Sequence, residues 1–344
     1  IRDFCLSRGL GDVYKRQAVR GTKGLTKYKE DFIMKNLKKI ISVTAAAAMV
    51  MSTVAPVSVF AESEETFKIG VIGPMTGDYA QYGNGVYNAA KIAADEINAN
   101  GGFNGYQVEI LDAGDDQGDP EKAVNAYNDL LDKGMQMLCG TVTSGSCIAV
   151  GAEAAESTFM FTPSATAVDS ITAGSNEFRM CFTDPAQGTK SAQYIGENKL
   201  AKKVAVIYNS SDVYSSGIEA KFIEEAKNQG LEVVAEEAFT ADSKTDFSTQ
   251  LKKAQDGGAE LVFLPIYYTE ASIILTQADQ MGYQPKFFGC DGLDGLLAVK
   301  NFDTKLAEGV MLLTPFAADA TDDLTKKFVK EYKDKYDEVP NQFA

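Results

Sequence analysis

The sequence predicts an α/β protein built as two doubly wound, Rossmann-like lobes joined by a hinge. Three observations carry that expectation. From residue 67 onward, short apolar runs of strand length alternate with longer amphipathic segments, the pattern of parallel sheets covered by helices. The alternation restarts after Arg179-Met-Cys-Phe-Thr183, giving two rounds. The chain has 344 residues, 45% of them hydrophobic, enough for two lobes of ordinary size with packed cores.

In the first round, residues 67–72 read as a strand ended by Gly73-Pro74. Residues 84–98 place Val86, Ala89, Ala90, Ala93 and Ile97 on one helical face, closed by Gly101-Gly102. Residues 106–112 form the second strand. Asp119-Pro120 starts a helix, with a capping carboxylate before Pro at the first helical position. That helix runs to Lys133 and stops at Gly134. Residues 135–139 are a third strand, a helix follows from about Ser146, and residues 159–162 are a fourth strand.

In the second round, helices are expected over 189–198, 217–228, 247–255 and 270–280. Strands are expected over 203–208, 231–239, 261–265 and 286–289. A last helix, 322–336, aligns Leu324, Phe328, Tyr332 and Tyr336. The expected division is lobe 1 over 62–182, lobe 2 over 183–314, and a return towards lobe 1 over 315–344. The chain stops at Ala344 where another helix begins, so this return is read as truncated.

The N-terminus reads as an address. Met34-Lys-Asn-Leu-Lys-Lys39, an Ala-rich apolar run and the exit Val59-Phe60-Ala61 make 34–61 a secretory signal peptide. Ser42, Thr44, Ser52 and Pro56 break the run too often for a membrane span. No Cys follows it, so lipid anchoring is not indicated. Export to the periplasm or the cell exterior is the expectation. Residues 1–33 resemble translated adapter read-through and are read as a non-native extension.

Composition narrows the function classes. Residues 62–344 carry 22 Lys/Arg and 44 Asp/Glu, a net charge of −22. Such a surface repels phosphate backbones and anionic lipid. The chain has no His, which removes the usual general base, zinc ligand and catalytic triad together. No Walker A pattern is present, and Gly83-Asn-Gly85 is followed by Asn88 rather than the Gly of a dinucleotide fingerprint. No enzyme activity, cofactor or metal is expected. Cys139 and Cys147 can meet across a strand–helix turn, but buried free thiols are the simpler expectation.

Ligands of open α/β sheets bind beyond the carboxyl ends of the strands. After the third strand comes Gly140-Thr-Val-Thr-Ser-Gly-Ser146, whose amides and helix dipole suit a carboxylate; Ser144 or Ser146 serves equally as a plain N-cap. After the fourth comes Pro163-Ser-Ala-Thr166, where a hydroxyl and loop carbonyls can hold an ammonium, although Ser and Thr fill loops routinely. Cys290-Asp291-Gly292 offers a lone carboxylate that either pairs with an ammonium or is an ordinary turn Asp. Tyr82, Tyr214 and Tyr267 stand in equivalent places after their strands and together make a pocket wall.

These residues resemble the branched-chain amino-acid (Leu/Ile/Val) binding proteins of bacterial ABC transporters. The resemblance rests on Ile69-Gly-Val-Ile-Gly-Pro-Met-Thr-Gly77 with Gln81-Tyr-Gly83, on Asp95-Glu-Ile-Asn-Ala-Asn-Gly-Gly102 and on Thr162-Pro-Ser-Ala-Thr166. It implies a periplasmic-binding-protein type I fold that closes on a small amino acid, with a membrane permease and ATPase as partners and a monomeric receptor. It also implies that Ser144 and Thr166 hold the α-carboxylate and α-ammonium, with Ser164 contributing backbone and Ala165 beside it. Asp291 then pairs with the ammonium, and Tyr82, Tyr214, Tyr267 and Phe343 form the wall. The chain departs from some members in lacking a disulfide between the 116–119 loop and position 143, and in carrying Asp rather than the longer Glu at 291. An extracellular sensor of amino acids, amides or related molecules is the alternative on the same fold.

Overall fold

A computed structural model describes residues 66–344. The signal-peptide and extension readings fall on 1–61 and lie outside the described residues.

The first sheet contains β1 (Thr66–Gly73), β2 (Gln107–Ile110), β3 (Gly114–Asp115), β4 (Met137–Gly140), β5 (Phe159–Thr162) and β6 (Glu177–Arg179). Its order is β2-β1-β4-β5-β6, with β3 also on β1. The second sheet contains β7 (Lys203–Asn209), β8 (Glu232–Phe239), β9 (Leu261–Leu264), β10 (Lys286–Gly289) and β11 (Met311–Leu312), ordered β11-β10-β9-β7-β8. All of these named pairings are parallel. The α/β class with two parallel-sheet lobes therefore stands.

Each sheet has one place where the chain reverses its direction of winding. In the first it lies between β1 and β4, in the second between β7 and β9. Loops leaving such neighbours run apart and leave a crevice. The two crevices supply the segments that bear Tyr82 and Ser144 on one side, and Tyr214 and Tyr267 on the other.

The helices are α1 (Ala80–Ala99), α2 (Pro120–Asp132), α3 (Ser144–Ala154), α4 (Asp184–Glu197), α5 (Val213–Asn228), α6 (Ser248–Asp256), α7 (Tyr268–Gln280) and α8 (Asp323–Tyr336). Their starts have local causes. Asp119 accepts the Lys122 N–H at 2.9 Å with Pro120 in the first turn, and Asp322 accepts the Thr325 N–H at 2.9 Å. Several helices begin earlier than the apolar pattern suggests. α1 starts four residues before Asn84, α4 five before Thr189 and α5 four before Gly217. Caps at Thr183 and Asp212 set the last two, and periodicity is silent in first turns made of polar and glycine residues. The short strands β3, β6 and β11 are additions to the expected set.

Two clusters of buried side chains fill the lobes separately. One gathers Ile72, Leu130, Leu138 and Met160, the other Ile195, Val206, Phe222 and Phe263. A third cluster spans the lobes and includes Val71, Tyr82, Ile207, Leu264 and Phe343. α8 lies against α1, where the Tyr336 hydroxyl donates to the Asn88 carbonyl at 3.1 Å. Lys327 pairs with Glu96 and Lys335 with Asp95. Cys139, Cys147, Cys181 and Cys290 are free thiols, which leaves the Cys139–Cys147 pairing unformed. Burial pushes Cys139 up to about 12 and Cys147 up to about 11, so both stay protonated and unreactive.

Candidate functional site

The two crevices face each other and enclose a small cavity of ≈ 10 Å³, room for about one water molecule. Lobe 1 contributes Tyr82, Val142, Thr143, Ser144, Ser164 and Thr166 to its walls. Lobe 2 contributes Tyr214, Tyr267, Asp291 and Gly292, and the C-terminal return adds Phe343. Eight of the nine candidates from the sequence, Phe343 included, thus meet at one place. Ala165 does not line the cavity. It is 1% exposed, and its N–H is already donated to Thr162 Oγ1 at 3.0 Å.

The lobe 1 wall is one network. Thr162 Oγ1 donates to the Thr141 carbonyl at 2.8 Å, and Ser164 Oγ donates to the Val142 carbonyl at 2.9 Å. The Ser164 hydroxyl is therefore spent on holding two loops together. Ser144 Oγ accepts the Ala167 N–H at 3.1 Å, which leaves its own proton to give. Ser144 opens α3, and its N-cap Thr143 makes no capping bond; the buried Thr143 Oγ1 has no partner. The first turn of α3 thus reaches the cavity with amides, a positive dipole end and a hydroxyl donor. That arrangement attracts an anion.

The lobe 2 wall carries the opposite charge. Asp291 is 4% exposed. Its Oδ1 accepts the Tyr214 hydroxyl at 2.7 Å and the Gly292 N–H at 3.0 Å. Those donors are neutral, and burial raises its pKa above the ordinary carboxylate range. A buried carboxylate without a cation is costly, so the site favours a ligand that brings one. Gly292 is needed here for space: a Cβ would lie 2.7 Å from the Tyr214 hydroxyl oxygen and 2.8 Å from the Ile266 carbonyl oxygen.

Aromatic rings close the remaining faces. Tyr214 stacks on Tyr267 at 4.8 Å, and Tyr82 stacks on Phe343 at 4.0 Å. Tyr82 and Tyr267 meet across the cleft at 5.9 Å, and the Tyr82 hydroxyl donates to the Gly292 carbonyl. Burial pushes all three phenols well above their usual range, so they remain neutral donors.

Outside the cavity, a second set of contacts joins the lobes. Lys244 pairs across the lobes with Asp78 at 2.7 Å and, within lobe 2, with Glu270 at 3.5 Å. The Tyr79 hydroxyl donates to Glu270 Oε1 at 2.9 Å, and Thr269 Oγ1 donates to the Asp78 carbonyl at 2.6 Å. The return segment also bridges. Asn341 Nδ2 donates to the Gln81 carbonyl at 3.0 Å, and Gln342 Nε2 donates to the Asp291 carbonyl at 3.1 Å.

Val142, Thr143 and Gly292 also line the cavity; they lie inside the strand-end loops Gly140–Ser146 and Cys290–Gly292 read from the sequence, where only their place in the loop marks them. The Lys244–Asp78 contact has no such signal, since it joins segments 166 residues apart. Among the described residues, no cluster of His, Cys, Asp or Glu has a metal-holding arrangement.

Comparison with known proteins gives a consistent picture. A family model described as periplasmic binding protein matches residues 66–344. Leu/Ile/Val-binding protein homolog 3 of Brucella melitensis is 33% identical over 260 residues, covering 75% of this chain and 68% of that protein. The leucine-, isoleucine-, valine-, threonine-, and alanine-binding protein of Pseudomonas aeruginosa is 31% identical over 291 residues, covering 84% and 76%. Among solved structures, the branched-chain amino acid transporter substrate-binding protein LivJ of Streptococcus pneumoniae, in complex with isoleucine, superposes with a TM-score of 0.75. Its identity is 30%, covering 81% of this chain and 80% of that one.

Proposed function

This chain belongs to the periplasmic binding protein family, and from that premise we propose that it captures a small aliphatic amino acid, branched-chain above all, for uptake by an ABC transporter. The observation that carries this reading is the pairing of opposite poles across one cleft. The N-terminus of α3 with Ser144 faces the buried, cation-free Asp291, as a zwitterion requires. The α-carboxylate lies towards Ser144 and the first amides of α3. The α-ammonium lies towards Asp291 and the Thr166 hydroxyl. Tyr82, Tyr214, Tyr267 and Phe343 flank the side chain. The likeness to relatives named for Leu, Ile and Val supports the choice of ligand.

A leucine-sized molecule exceeds the present cavity, so entry requires the lobes to part and close again, a hinge motion. The receptor works as an exported monomer and hands its ligand to a permease with its ATPase. Calorimetric titration of the full chain with the common amino acids tests the reading. Binding of leucine, isoleucine or valine is expected; binding of none of them overturns it.

Two substitutions probe the poles and the closure. Ser144→Ala is expected to weaken leucine by about 1.5–3 kcal/mol, the worth of a hydrogen bond to a charged group. Leucinamide, which lacks the carboxylate, should lose much less, and equal losses would remove Ser144 from the carboxylate site. Lys244→Met removes the Lys244–Asp78 ion pair between the lobes. An exposed pair of this kind contributes up to about 1 kcal/mol, so ligand release, followed by stopped flow, should quicken by up to about five-fold. An unchanged release rate would show that this pair does not hold the lobes shut.

A further inference from the structure

Asp184 is the first residue of α4, at the crossover from the first sheet to the second. Its backbone N–H donates to the Thr166 carbonyl at 3.0 Å, which seats it directly behind the loop that lines the cavity. Its side chain is buried, with 1% exposure. Neither carboxylate oxygen has a hydrogen-bond partner of good geometry, although the Thr166 hydroxyl lies close enough to favour its charged form.

Helix capping does not explain it. Thr183 already caps α4 by accepting the Ala186 N–H at 3.3 Å. Arg179, whose charge acts on it, is otherwise engaged, because Arg179 Nη1 donates to the Ala167 carbonyl at 2.7 Å and to the Thr166 carbonyl at 3.4 Å. From α5, Gly217 presents no side chain; a Cβ there would lie 3.3 Å from Asp184 Oδ2. One turn along α4, the fully buried Gln187 accepts the Asp291 N–H at 3.2 Å, and its Nε2 also has no partner. Asp184 and Asp291 therefore approach the same region from the two lobes' junction and from lobe 2. Burial, with Asp291 adding its charge, pushes Asp184 up to about 8, whereas the Thr166 hydroxyl and Arg179 pull it down. Asp291 thus adds to the cost of a charge on Asp184, a cost that one positive group placed near both would lower.

We infer that Asp184 completes the ammonium site, acting through the Thr166 hydroxyl in front of it while Asp291 meets the ammonium from the opposite lobe. The inference rests on the amino-acid reading above. It makes Asp184 a positioning residue for selectivity: the site prefers an amine-bearing ligand over its des-amino analogue because two buried carboxyl groups, not one, face the ammonium on closure.

The test is calorimetric titration of the full chain and of Asp184→Asn with L-leucine and with 4-methylpentanoate, its des-amino analogue. Leucine affinity should fall at least about five-fold in the variant. The affinity for 4-methylpentanoate should stay level or rise, and the ligand-free melting temperature should not fall. A smaller loss for leucine, or equal losses for both ligands, overturns the inference. Asp184→Ser keeps a small hydrogen-bonding group at the helix start and is read the same way if the Asn variant does not fold. A wild-type protein that binds no α-amino acid overturns the proposed function and this inference together. Wild-type binding with both variants unaffected overturns this inference alone.

Discussion

Asp291→Ala is expected to weaken leucine by about 2–5 kcal/mol, the cost of truncating one partner of a buried, hydrogen-bonded charge pair. Two effects add. The ligand ammonium loses the carboxylate that offsets its desolvation, and the Tyr214 hydroxyl loses the acceptor that holds it at 2.7 Å. The ligand-free protein should respond in the opposite sense. Burial raises the Asp291 pKa in the folded state, so folding favours the protonated form. The stability contributed by that proton is complete below the ordinary aspartate value and is lost as pH rises through the raised one. Asp291→Asn keeps the shape without the charge, so it should raise the ligand-free melting temperature at neutral pH and change it little near pH 4. Loss of leucine binding with a gain in ligand-free stability marks a residue kept for recognition rather than for folding. If Asp291→Asn binds leucine as the wild type does, the ammonium lies elsewhere and the proposed orientation is wrong.

How much of this was legible in the sequence depends on the range of each signal. The strands of four residues or more are runs such as Leu261–Leu264 and Lys286–Gly289, and their apolar content announces them. β6 and β11 have three and two residues, too few for any period to register. Helix bodies were visible as apolar stripes, but first turns were not, because they hold Tyr, Gly, Ser and Asp and answer to caps and tertiary contacts. The candidate site was legible where it is a strand end followed by a polar loop, as at Gly140–Ser146 and Pro163–Thr166. Asp184 is different. In sequence it is an Asp-Pro helix start, a common capping pattern; only the fold shows that Thr183 does the capping and that the Asp184 carboxylate is left over. Phe343 reaches Tyr82 from a return segment more than 250 residues along the chain, and no local pattern encodes that meeting.

Gly83 joins the fold to the site, and Gly83→Val is expected to cost about 3 kcal/mol or more of stability, at the upper end for overpacking. A Cβ at this position would lie 2.4 Å from the Pro74 carbonyl oxygen and 2.6 Å from its carbonyl carbon. Both belong to the backbone just after β1, so no side chain can swing aside. Relief requires α1 to move off the end of β1, and α1 carries Tyr82 on the preceding residue. Tyr82 is fully buried, stacks on Phe343 and donates to the Gly292 carbonyl of the other lobe. A shift of α1 therefore reaches lobe 2 through one side chain. The melting temperature should fall by roughly 6–12 °C for a loss of that size, and leucine affinity should fall with it. Gly145→Ala is the control. Its Cβ would meet only Pro120 Cγ, at 3.8 Å, and within a helix the change from Gly is worth up to about 1 kcal/mol in the stabilising direction. If Gly83→Val melts like the wild type, the contact between β1 and α1 is looser than the structure has it, and Tyr82 is placed by the aromatic stack alone.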